Sequence, residues 1–102
     1  MDEELQRVEH ELCAYRNGTD HGYDTPAFRA LAERVRRLSR TINRACIRVH
    51  EDSTLRDLSF IVEIIAENAI RAIPLTHRFD RKAYELEGLT IALRHALQDS
   101  QK

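Results

Sequence analysis

Between Thr54 and Ile73 the chain reads TLRDLSFIVEIIAENAIRAI, its most apolar stretch of helical length. Leu55, Leu58, Val62, Ile65, Ala69 and Ala72 recur three and four residues apart, which places them on one face of a helix, and Ile61 and Ile73 widen that face. A stripe this broad needs neighbours on two sides, so the segment is expected at the centre of a helical bundle. Phe60 and Ile64 fall outside the stripe, one turn apart.

The same periodicity predicts three further helices. From about Asp2 to Arg16, Leu5, Val8, Leu12 and Tyr15 share a face, and acidic residues in the first turn suit the helix dipole. The run Asn17–Asp24 is polar, holds two glycines and has no periodicity, so it is expected to be the longest loop. Thr25 as N-cap and Pro26 at the first helical position open a second helix. Its seam is Phe28, Leu31, Val35, Leu38, Ile42, Ala45 and Val49. Pro74 ends the central helix. Asp80 is the expected cap of a fourth, flanked by Phe79 and Tyr84 as a hydrophobic staple, with Leu86, Leu89, Leu93, Ala96 and Leu97 on its core face. Gly88 in mid-helix suggests a close helix contact. Four helices with short connections imply an all-α fold, a single-domain antiparallel up-down four-helix bundle.

Composition narrows the function more than it changes the fold. The 102 residues suffice to bury about 65% of the unfolded surface. Sixteen basic and seventeen acidic side chains give a net charge of −1, with no overall bias toward nucleic acid or membrane. No apolar run approaches membrane-spanning length and the acidic start lacks signal-peptide character, which points to a cytoplasmic protein; its small size suggests a bacterial or phage source. Cys13 and Cys46 read as reduced thiols. His10 with Cys13, and His50 with Glu51 and Asp52, lack a second half at ligand spacing, so no metal or other cofactor is expected.

Charge is unevenly placed. Fourteen of the sixteen basic residues are Arg, and on the second helix Arg29, Arg36, Arg37, Arg40, Arg44 and Arg48 lie opposite the seam with only Glu33 against them. Arg36, Arg40, Arg44 and Arg48 form a ladder suited to an acidic protein surface or a nucleic-acid backbone. Phe60 and Ile64, together with Tyr84 and Ile91 on the fourth helix, lie off their core faces and are candidates for a homodimer interface.

The first loop carries the sharpest local pattern. Arg16 and Asn17 are followed by His21 and then Tyr23. An imidazole that takes the proton of a 2′-hydroxyl, beside a guanidinium that stabilises phosphate charge, is the equipment of metal-independent RNA cleavage. This stretch resembles the Arg-x4-His-x-Tyr signature of HEPN ribonucleases. The resemblance implies an all-helical nuclease of toxin or antiviral type, often dimeric, with Arg16, Asn17, His21 and Tyr23 in its site. The reading taken for the whole chain is instead a small non-catalytic interaction or regulatory protein that binds a protein partner and self-associates. The ribonuclease and a nucleic-acid binder using the second helix are the alternatives.

Overall fold

A computed structural model of the chain describes residues 1–17, 25–49, 53–73 and 80–100. It contains four α-helices and, among the described residues, no strand: α1 (Asp2–Asn17), α2 (Thr25–Val49), α3 (Ser53–Arg71) and α4 (Asp80–Ser100). These form the antiparallel up-down bundle expected from the periodicity. At 1.5 Å per residue α2 is about 37 Å long, close to the 42 Å long dimension of the molecule.

The bundle is two tightly packed pairs laid together. α2 packs most extensively on α3, and α1 next most extensively on α4. α3 also packs on α4, while α1 and α2 touch more sparingly. α3 thus has neighbours on two sides, as its wide stripe requires. Where α1 and α2 do meet, the Tyr15 and Phe28 rings lie 5.9 Å apart, tilted by 44°.

The α2–α3 pair buries small residues on both helices. Ala32, Ser39 and Cys46 recur at seven-residue intervals on α2 and are all buried, as are Ser59 and Ala66 on α3. Arg40 bridges to Glu63 (3.1 Å) and reaches Glu67 (4.0 Å). In the register this sets, Ser39 comes level with Ala66 and Cys46 with Ser59. Burying a serine normally costs free energy unless its hydroxyl is bonded. Ser39 Oγ donates to the Val35 carbonyl at 2.7 Å and Ser59 Oγ to the Arg56 carbonyl at 2.9 Å, so each hydroxyl is satisfied within its own helix. Asn43 Nδ2 adds a cross-helix bond to the Arg56 carbonyl at 2.9 Å.

The α1–α4 pair is held in register by polar groups along its edge. Gln98 Nε2 donates to Asp2 Oδ1 at 3.1 Å, Arg94 to Glu9, and Arg16 to Glu87. The α1 members stand seven residues apart, matching the heptad of Leu5, Val8, Leu12 and Tyr15 beside them.

Several expectations change. Asn17 is the last residue of α1 rather than the start of the loop; the rest of that loop, and Phe79, lie outside the described residues. Ile61 is exposed rather than widening the core face, and Ala45 is exposed rather than part of the α2 seam. Gly88 is exposed as well, and a Cβ there would meet nothing within 4 Å, so it makes no close helix contact.

Candidate interaction surfaces

Arg16 sits at the C-terminal end of α1, where its long side chain reaches across to α4. Its Nη2 lies 3.3 and 3.4 Å from the two Glu87 carboxylate oxygens, and 3.6 Å from Cys13 Sγ. The guanidinium also lies over the Tyr84 ring, 5.1 Å from its centroid, in cation–π geometry. Nε is buried with no hydrogen-bond partner among the described residues. Asn17 Nδ2 is 3.5 Å from the same Cys13 sulfur. The guanidinium of the nuclease-like pattern is therefore committed to an interhelical tie, while His21 and Tyr23 lie outside the described residues.

The arginine ladder of α2 is partly neutralised by its neighbour. Arg36 donates through Nη2 and Nε to Glu33 at 2.7 and 3.2 Å. That bond, with lesser help from Glu67 and Glu63, raises the guanidinium above its usual value. Arg40 is held by Glu63 and Glu67 of α3. Arg44 is exposed and forms no ion pair among the described residues; the side chain of Arg48 lies outside them. On the flank toward α1, Arg34 pairs with Glu11. Between the two helices is an open cleft of about 710 Å³ lined by Glu3, Glu4 and Arg7 of α1 and by Arg34 and Arg37 of α2. Carboxylates of α1 and α3 thus pair with Arg34 and Arg40 of α2, while Arg44 stands exposed.

The apolar candidates fall into two separate places. Phe60, Ile61 and Ile64 lie on the outward ridge of α3, 53%, 48% and 38% exposed, away from both α2 and α4. Tyr84 is 62% exposed, but it stands on the α1 flank of α4 beneath Arg16. Ile91 is half-buried on that same flank. By helical geometry the flank is the one that carries Glu87 and Arg94, so Tyr84 and Ile91 do not join the α3 ridge in one surface. Sequence reasoning identified Phe60 and Ile64 but assigned Ile61 to the core.

Around the α3 ridge stand Asp57 and Arg71. Asp57 is 70% exposed in its side chain and its nearest cation is the adjoining Arg56, with Nε 3.6 Å from Oδ1. Arg71 is exposed and forms no ion pair among the described residues.

Among the described residues no cluster of three or more His, Cys, Asp or Glu is placed to hold a metal ion, and no helix is long and apolar enough to cross a membrane. Cys13 and Cys46 are not joined in a disulfide, and Cys46 is buried. No protein-family model, curated protein or solved structure matches the chain.

Proposed function

We propose that the chain is a non-catalytic, cytoplasmic interaction protein that self-associates through the outward ridge of α3 and binds a protein partner through its remaining surface. The observation that carries this reading is the exposure of Phe60, Ile61 and Ile64 together on one helix face. Single exposed apolar residues are ordinary, but three within two turns of one face make a patch that water covers poorly. The engagement of Arg16 with Glu87 and Tyr84 also favours a structural role for that residue over phosphate binding.

Sedimentation of the wild type, Phe60→Asp and Ile64→Asp tests the reading, with far-ultraviolet circular dichroism as the control for folding. The wild type is expected to associate and both variants to remain helical and monomeric. A monomeric wild type, or variants that associate as before, would overturn it. Incubating the protein with RNA in excess chelator tests the alternative. Cleavage that disappears in His21→Ala would replace the interaction reading with a nuclease.

A further inference from the structure

We infer that the α3 ridge is covered by the same ridge of a second copy, running antiparallel across a two-fold axis beside Ile64, with Asp57 of each copy paired to Arg71 of the other. This rests on the self-association proposed above and specifies its geometry. Asp57, Ile61, Ile64, Asn68 and Arg71 follow one another at intervals of four, three, four and three, which is the spacing of a helix–helix seam. It runs along the side of α3 that no other helix of the bundle covers, with Phe60 beside it.

The charges choose the direction. Asp57 and Arg71 are each seven residues from Ile64, one on either side. An antiparallel pairing centred there sets Asp57 opposite the partner's Arg71 twice over, and Ile64 against the partner's Ile64. A parallel pairing in register would set Asp57 on Asp57 and Arg71 on Arg71, which repels at both ends. A two-fold axis keeps each flank of the ridge on its own side. Ile61, on the α4 flank, therefore falls over the other copy's cleft of about 160 Å³ between Ile65 and Asn68 of α3 and Lys82 and Glu85 of α4. Phe60, on the α2 flank, falls along the stems of Glu67 and Arg71 of the partner subunit. At 1.5 Å per residue the ridge from Asp57 to Arg71 is about 21 Å long. A single helix pair of that length lies at the small end of stable interfaces, so the dimer is one that dissociates on dilution in the micromolar range.

Sedimentation of Asp57→Arg and Arg71→Asp, separately and mixed in equal amounts, tests the pairing, with Phe60→Asp alongside and helicity checked in each. Each single variant places like charges together twice per dimer and is expected to weaken association roughly tenfold or more. The mixture restores both attractive pairs and is expected to recover wild-type association as a heterodimer. Should Phe60→Asp dissociate the protein while neither charge variant weakens it, or the mixture fail to recover, the ridge remains the interface and the antiparallel pairing is wrong. A wild type that stays monomeric, or a Phe60→Asp variant that still dimerises, overturns both the pairing and the self-association on which it rests.

Discussion

Glu9 and Arg94 meet across the α1–α4 interface, Nε to Oε2 at 2.9 Å and Nη2 to Oε1 at 3.4 Å, with side chains only 15% and 17% exposed. Seven residues along each helix the same charges recur in reverse order, Arg16 to Glu87. Sliding α1 by one heptad in one direction would bring Glu9 to Glu87, and in the other Arg16 to Arg94. The apolar heptad tolerates such slips; the charges do not.

Arg94→Ala is expected to lower stability by about 2 kcal/mol, because it strands a mostly buried carboxylate that the exposed ion pairs of the molecule do not have to contend with. In a domain of this size that lowers the thermal midpoint by about 10 °C. The exchanged pair Glu9→Arg with Arg94→Glu should recover part of the loss. Thermal unfolding followed by circular dichroism checks this, and an Arg94→Ala midpoint equal to wild type would show the pair to be energetically silent.

Arg16→Ala strands a carboxylate as buried as that of Glu9, Glu87 being 13% exposed, but should cost less, about 1 kcal/mol, because its bonds to Glu87 are already long at 3.3 and 3.4 Å. The loss should be shared by Tyr84→Ala, which removes the ring beneath the guanidinium. If the double variant loses no more than the larger single effect, the cation–π contact and the ion pair act as one unit.

Ser39 separates the effect of size from that of polarity. Ser39→Leu is expected to cost about 2 kcal/mol by forcing α2 and α3 apart. Ser39→Ala should fall within about 0.5 kcal/mol of wild type, since the hydroxyl bonds only its own helix and its removal strands no partner from another element. Chemical denaturation of the two variants reads both values from the midpoint at constant slope.

Gly88→Ala should stabilise the protein by about 1 kcal/mol, from the smaller backbone entropy lost in a helix interior. Nothing stands within 4 Å of the added methyl group. A fall in the thermal midpoint would mean that the exposed face of α4 is occupied by something else.

The four helices were readable in the chain because three- and four-residue periodicity and local breakers operate between near neighbours whatever the tertiary structure; the side chains of the expected caps Thr25 and Asp80, and Pro74 itself, lie outside the described residues. The large apolar core positions on α1 followed from periodicity alone. The small ones did not. Ser39 and Ser59 look like surface residues until their hydroxyls are seen bonded to their own helices, after which each presents only a small surface to its neighbour. Arg40 looked free because its partners Glu63 and Glu67 belong to another helix, 23 and 27 residues away. Ile61 was misassigned because the apolar arc of α3 exceeds what α2 and α4 cover, and nothing in one chain marks which edge of such an arc is left outside. The separation of Tyr84 from Phe60 likewise depended on how α4 is rotated against α1.

The polar edge between α1 and α4 also fixes an order of events. Its ties join residues 71 to 96 apart in the chain, whereas the Asn43 bond from α2 to α3 spans only 13. Closing a short loop loses less chain entropy than closing a long one, and local pairings form sooner. The middle hairpin is therefore expected to assemble first and the two outer helices to close over it last, as a clasp. Amide hydrogens of α1 and α4 should consequently exchange through a partial opening that leaves α2 and α3 protected, so that the molecule breathes from its ends while its centre stays shut.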